Sequence, residues 1–366
     1  MIMKRFWFVL PVVLVSVSVS LVSCLDRSPD PEVSTAPKNI ILFIGDGMGV
    51  AQLTAAMTIA GAPLHLESMP VTGLATTSSS DRYITDSAAG GTAIATGVKT
   101  RNGMIGMSPD TLVIENIVEI AKRNGLATGV ISTSTVTHAT PASFVAHVAS
   151  RSSYEEIAEF YLKGTIDLFM GGGFDHFGNR SDSIDLVKKL KEEGFTVVTS
   201  PDELKGVRKG RVAGLFYPDH MPKASEGRSV SLAEMTRKAI EVLSENNKGF
   251  FLMVEGSMID WAGHDSDTDY AVAETLDIDA ALGEAMAFAK SDGNTLVILT
   301  SDHEAGGMAL TGGSIAERRV RAEWPTTGHT AVMVPVLSCG AGSEKFGGIM
   351  ENTELFERMI WALGIK

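Results

Sequence analysis

Asn39-Ile40-Ile41-Leu42-Phe43-Ile44 runs straight into Gly45-Asp46-Gly47, a short β-branched, apolar stretch that ends in an aspartate between two glycines. From there onward the chain alternates such stretches with longer helical ones, which is the pattern of a mainly parallel sheet flanked by helices on both faces. Strands are expected at 39–44, 127–131, 166–170, 196–199, 212–216, 250–254, 295–300 and 331–337. Helices are expected at 49–60, 87–97, 112–124, 154–163, 183–193, 231–246, 269–290 and 353–363. No internal repeat occurs, and no linker after residue 38 is long enough to separate a second domain, so residues 39–366 read as one α/β domain.

Acidic and histidine residues gather at the ends of those strands. Ile44 leads to Asp46, the run Phe250-Phe251-Leu252-Met253-Val254 leads to Glu255, and Leu296-Val297-Ile298-Leu299-Thr300 leads to Ser301-Asp302-His303-Glu304. One aspartate after a strand is ordinarily a turn or cap residue. Three acidic tips in one parallel sheet reverse that reading, because ligands bind beyond the carboxyl ends of such strands. Asp260 and His264, four apart, share one face of a short helix and form an oxygen and imidazole pair suited to zinc. His329 stands in a similar setting just before the strand at 331. Asp265, Asp267 and Asp269 imitate the opening of a calcium loop, but Tyr270 and Leu276 replace its required glycine and glutamate, so the run reads as a solvated helix start.

Thr85-Asp86-Ser87-Ala88-Ala89-Gly90-Gly91 offers a hydroxyl at the start of a helix, followed by small residues that allow close approach. Free N–H groups and the positive dipole end would face whatever Ser87 attacks, which favours an anionic, phosphate-like substrate. Two better-known motifs fail here. The nucleophile elbow needs glycines at the positions of Thr85 and Ala89, and a P-loop needs Lys directly after its second glycine, where Val98 intervenes before Lys99. A serine needs an activator, and no histidine lies within fifty residues on its C-terminal side.

With 366 residues, 44% hydrophobic and 20% charged, the composition is globular, and the net charge of −13 argues against nucleic-acid binding. Lys4 and Arg5 precede an apolar run from Phe6 to Leu14, and Leu21-Val22-Ser23-Cys24 completes a lipobox-like signal peptide over residues 1–23. Removing Lys4 and Arg5 leaves 29 basic against 44 acidic residues, or −15. The pattern resembles bacterial lipoproteins and implies export, acylation at Cys24 and a flexible tether over residues 24–38. Cys339 is then the one internal cysteine, so packing, metals or oligomerisation must supply stability.

Taken in order, Gly45-Asp46-Gly47-Met48-Gly49, Thr85-Asp86-Ser87-Ala88-Ala89, Val254-Glu255-Gly256-Ser257, Asp260 with His264, Ser301-Asp302-His303-Glu304 and Thr327-Gly328-His329-Thr330 resemble the alkaline phosphatase family, over residues 38 to 366. The resemblance implies an alkaline-phosphatase-like fold and hydrolysis of phosphate monoesters through a phosphoseryl intermediate at Ser87. It implies one zinc on Asp260, His264 and His329, a second on Asp46, Asp302 and His303 beside Ser87, and Mg²⁺ on Asp46, Thr140 and Glu255. Arg151 matches the phosphate-binding arginine, whose planar fork suits two non-bridging oxygens. His138 and Trp261 stand beside the site where the enteric bacterial pattern has an acidic residue and a lysine. The family also implies a homodimer, while the lipobox pattern implies a membrane contact only through the lipid, in the periplasm or at the cell surface. His65, His147, His176 and His220 receive no role. A phosphodiesterase or narrow-specificity phosphatase of the same superfamily is the alternative within enzymes, and a binding module without turnover is the alternative outside them. A sulfatase-like reading needs Pro and Arg after the nucleophile, where Ala88 and Ala89 stand.

Overall fold

Ile40, Leu42 and Ile44 pack on one side of a sheet and Ile41 and Phe43 on the other, and all five are fully buried. Helices therefore cover both faces, as alternate side chains of one strand require. The computed structural model describes residues 36–365 together with Ile2. The signal segment 1–23, Cys24 and the tether up to residue 35 lie outside the described residues.

In chain order the strands are β1 (Asn39–Gly45), β2 (Val71–Thr76), β3 (Ala127–Thr135), β4 (Leu168–Gly172), β5 (Phe195–Val198), β6 (Arg211–Tyr217), β7 (Phe250–Gly256), β8 (Thr295–Thr300), β9 (Glu304–Ala305), β10 (Ala309–Ser314), β11 (Arg319–Glu323), β12 (His329–Thr330), β13 (Val334–Gly340) and β14 (Gly348–Glu351). Ten of them form one sheet, ordered β14-β2-β13-β8-β1-β7-β3-β4-β6-β5. Every neighbouring pair in it is parallel except the two made by β13, which runs against the rest. β10 pairs with β11, and β9 with β12, as small antiparallel ladders.

On the face of Ile40, Leu42 and Ile44 lie Ile94 of the helix Ser87–Thr96, Ile117 of Ile117–Arg123, and Leu355 and Met359 of Asn352–Ala362. On the other face lie Leu53 of Val50–Ala60, Met235 of Leu232–Leu243, and Ile278 and Leu282 of Thr268–Asp292. Each such side chain, fully buried, contributes about 1.5–3 kcal/mol, so the two faces rather than any crosslink hold the sheet. β8, β1, β7 and β3 are consecutive, and register sets Ile44 opposite both Glu255 and Thr300 and Glu255 opposite Ser132. The acidic strand ends therefore come out side by side on one edge.

All eight expected strands are present. β13 starts at Val334 rather than at residue 331, because Val332 and Met333 are exposed and precede the pairing of Val334 with Ala75. The helix expected over 112–124 starts only at Ile117. Asn116 caps it, accepting from Glu119 N at 3.0 Å, while the Glu119 carboxylate accepts from Asn116 N at 2.9 Å. Upstream, Met107 bridges Val113 around a turn with Thr111 at φ 63°. The Asp265–Asp269 run is the expected helix start, with Asp267 accepting from Tyr270 N at 3.0 Å. Among the described residues no helix is long and apolar enough to cross a membrane.

Candidate active site

The helix Ser87–Thr96 opens with Asp86 as its cap, whose Oδ1 accepts from Ala89 N at 3.0 Å. Ser87 is thus fixed at the first turn, its side chain buried beside the free N–H groups of that end. The small residues behind it do what their size suggests. A Cβ on Gly90 would lie 2.8 Å from Asp302 O, so only glycine lets the helix approach the β8 tip this closely.

Ser87 Oγ lies 3.1 Å from His303 Nε2 and 3.5 Å from Asp46 Oδ1. The same His303 nitrogen lies 3.3 Å from Asp46 Oδ1 and 3.3 Å from Asp302 Oδ2. This is not a serine–histidine–aspartate triad. There the carboxylate holds Nδ1 while Nε2 faces the serine; here both carboxylates and the hydroxyl converge on Nε2, and Nδ1 has no hydrogen-bond partner. Acceptor lone pairs pointing at one place call for a cation between them.

A second group gathers Asp260, His264 and His329. Asp260 Oδ2 is 3.2 Å from His264 Nε2 and its Oδ1 is 3.3 Å from His329 Nε2. His264 Nδ1 donates to Thr327 O at 2.6 Å and His329 Nδ1 to Thr85 O at 2.9 Å. Each carbonyl fixes the ring direction and turns Nε2 toward Asp260, the usual support of a metal-binding imidazole. The His329 ring stacks on His303 with centroids 3.6 Å apart, so the two groups adjoin.

The third group lies on the far side of Asp46. Thr140 Oγ1 donates to Asp46 Oδ2 at 3.4 Å, and ligand atoms of Asp46, His138 and Glu255 fall within 4.8 Å of one another. His138, expected beside the site, thus brings a ring nitrogen into it, because the turn after β3 points residue 138 inward as the first residue ahead of the helix Ala139–Ser143. Glu255 Oε2 accepts from Ser132 at 2.5 Å and Ser257 at 2.7 Å, leaving Oε1 unpartnered. Trp261 packs edge-on against both His138 and His220. His220 therefore has a place after all: its Nδ1 accepts from Thr135 N at 3.1 Å. His176 bonds Thr137 Oγ1 at 2.7 Å, His147 lies between Gly106 O and Glu119, and His65 opens a helical turn.

Arg151 Nη1 donates to Asp86 Oδ2 at 3.0 Å, and Nη2 lies 3.3 Å from His138 Nε2. The sequence assigns Asp86 no role beyond the Ser87 segment, yet it ties Arg151 to the start of the Ser87 helix; its position one before Ser87 at a helix start was the available signal.

The electrostatics say what the site lacks. Burial first, then the carboxylates of Asp302, Asp260 and Glu255, push the Asp46 carboxyl well above its ordinary value. Burial pushes Glu255 up to about 7 against the serine hydrogen bonds. Burial, with Arg151 next, takes His138 down to about 3, so it is a neutral donor at pH 7. Burial also lowers His303. The hydrogen bond to Asp260 pushes His264 up to about 9, and against burial Asp260 also raises His329, as expected for ring nitrogens that face a carboxylate directly. Four buried carboxylates in one site, with Asp302 Oδ2, Asp260 Oδ1 and Glu255 Oε1 unpartnered, fit divalent cations and are costly without them.

Fold and site together fit the class of metal-dependent α/β enzymes, with three adjoining ligand groups around one serine hydroxyl. The comparisons agree. The family model described as alkaline phosphatase matches residues 37–322. Alkaline phosphatase 4 of Bacillus subtilis is 34% identical over 87% of this chain and 87% of its own length. The solved alkaline phosphatase of the Antarctic bacterium TAB5 superposes with a TM-score of 0.86 at 41% identity, covering 92% of this chain and 100% of that one. A variant of the TAB5 enzyme in which a histidine is replaced by glutamate, and which has magnesium bound, superposes at 0.85 with 39% identity over 92% of this chain and 100% of that one. The chain belongs to the alkaline phosphatase family and is a phosphoric monoester hydrolase.

Proposed function

We propose that Ser87 Oγ attacks the phosphorus of a phosphate monoester in line, forming a P–O bond as the ester P–O bond breaks and the alcohol leaves. Water then cleaves the phosphoserine and releases inorganic phosphate. The observation that carries this reading is the Ser87 hydroxyl, held at a helix N-terminus 3.1 Å from His303 Nε2 and 3.5 Å from Asp46 Oδ1. Two zinc ions, on Asp260, His264 and His329 and on Asp46, Asp302 and His303, with one Mg²⁺ on Asp46, Thr140 and Glu255, would make the hydroxyl and water more acidic and neutralise the leaving oxygen.

The protein's own groups do the rest. The helix start presents backbone N–H groups to the phosphoryl oxygens, and Arg151 adds a cationic fork that favours a dianionic monoester over a diester. Asp86 keeps that fork from swinging into solvent. Neutral His138 faces Glu255 and Asp46 and is available as a nitrogen donor to the magnesium group, which bears on the ion that group prefers. Trp261 and His220 wall the same side and limit water there.

The test is Ser87→Ala with a chromogenic aryl phosphate. kcat should fall by on the order of a thousandfold while the metal content stays parental, because the remaining groups still stabilise the transition state. A parental rate would remove Ser87 from the reaction.

We further infer that the mature chain begins at an acylated Cys24 and works as a homodimer at a membrane, facing the periplasm or the exterior. The support is the basic, apolar and lipobox order of residues 4–24 and the family to which the chain belongs.

A further inference from the structure

Glu304 directly follows His303, is buried, and takes no part in the chemistry above. Its carboxylate nonetheless collects four hydrogen bonds from separate parts of the chain. Oε1 accepts from Gln52 Nε2 at 3.0 Å and Met308 N at 3.2 Å, and Oε2 accepts from Gly307 N at 3.1 Å and from the Thr330 hydroxyl. Gln52 is fully used as well: Oε1 accepts from Gly49 N at 3.1 Å, and Nε2 also donates to Ala305 O at 3.1 Å. Gly49 is where the two elements nearly touch, since a Cβ there would lie 2.5 Å from Glu304 Cγ.

These bonds link the three loops that carry Asp46, His303 and His329. Gly49 and Gln52 follow Asp46. Glu304 and Thr330 are each one residue past a histidine and are register partners in the β9–β12 ladder, with His329 opposite Ala305. A ladder of two residues is too short to hold its register alone, so the Glu304–Thr330 bond sets how His329 lies on His303. The chemistry demands a carboxylate. Two backbone N–H groups, an amide N–H and a hydroxyl all point donors at it, and a glutamine there would turn its own NH₂ on at least one of them.

We propose that Glu304 is a positioning residue: by tying Gln52, Thr330 and the 307–308 turn together it holds Asp46, His303 and His329 in one geometry, and it thereby sets the zinc affinity of both imidazole groups. The proposal rests on the reading that these three residues are ligands. Supports of this kind, when removed, cost about 10- to 100-fold in metal affinity.

The experiment titrates the full-length protein with zinc against a competing chelator and records the visible spectrum of the cobalt-substituted form, for the parent, Glu304→Gln, Thr330→Val and Thr330→Ser. Thr330→Val should bind zinc about tenfold more weakly and Glu304→Gln up to about a hundredfold. Thr330→Ser, which keeps the hydroxyl, should restore both the affinity and the cobalt spectrum of the parent. If Glu304→Gln does not fold, the Thr330 pair decides alone. Parental affinity in Thr330→Val, or a Thr330→Ser as weak as Thr330→Val, would overturn the proposal. A parent that binds no zinc would instead overturn the metal assignment under the proposed function.

Discussion

Asp86 Oδ2 accepts from Arg151 Nη1 at 3.0 Å while its Oδ1 caps the helix that begins at Ser87, so one carboxylate orients both the Ser87 helix end and the Arg151 guanidinium. Gly103 N adds a third bond to it at 2.9 Å. Ser87 and Arg151 are sixty-odd residues apart in the chain but are tied through one carboxylate.

Arg151→Lys should therefore lower kcat/KM by about 10- to 100-fold, since an ammonium cannot grip two oxygens and Asp86 together. Asp86→Asn, which keeps a cap acceptor, should give a smaller loss of the same kind. Competitive inhibition by inorganic phosphate reads both. Unchanged inhibition constants would show that Arg151 does not bind the phosphoryl group.

Chelation should destabilise the fold as well as stop turnover, because Asp46, Glu255, Asp260 and Asp302 are buried together. Refilling the site should stabilise the fold by about 2.7 kcal/mol at a hundredfold excess over the dissociation constant, so the melting temperature should climb with metal concentration. Calorimetry of stripped protein under stepwise zinc, with elemental analysis giving about two zinc and one magnesium per chain, checks it. A melting temperature indifferent to chelator would contradict the cation fit.

Most of the site was legible because its residues stand where strands stop: β1, β7 and β8 have apolar cores, Asp46 comes directly after β1, Glu255 is the penultimate residue of β7, and Asp302 is two past the end of β8. β2 was not, since only alternate residues are buried and a glycine interrupts it. β9 and β12 are two residues each and carry no periodicity, so the placing of His329 over His303 could not be read locally. The hairpin of β10 and β11 is largely exposed and lacks an apolar pattern. The start of the helix at Ile117 was readable in principle, from Asn116 and Glu119 as a capping pair. His220 reaches Trp261 from a loop after β6 that nothing in its own sequence directs there.

His147 and Glu119 make a pH-dependent tie at 2.9 Å, close in sequence to Arg151. Burial opposes it, yet Glu119 leaves His147 raised above its ordinary 6.5, and Glu119, also against burial, is lowered from 4.5 by His147. The stabilisation from His147 is complete below pH 6.5 and fades as pH rises through the raised value; that from Glu119 is complete above pH 4.5 and fades as pH falls through the lowered one. His147→Gln should thus cost most between pH 4.5 and 6.5, about 1 kcal/mol, and progressively less as pH rises above 6.5. Thermal melts of parent and variant across pH check this, and a difference that grows as pH rises above 6.5 would refute it.

Cys24→Ala should release the exported protein from membranes, given the lipobox at Leu21 to Cys24. Fractionation of cells expressing each form decides it. A variant that stays with membranes as the parent does would rule out the lipid anchor.

The central claim is that phosphate passes through Ser87. Cleavage of a phosphoserine needs ionised water, so acid should slow that step more than it slows loading, and the adduct should accumulate at about pH 5. The measurement is peptide mass spectrometry of protein incubated at that pH with inorganic phosphate or a phosphomonoester and then quenched in acid. The account predicts one added phosphate on the peptide containing Ser87, absent from Ser87→Ala. An adduct on another residue, or none in a protein that turns over substrate, would contradict it.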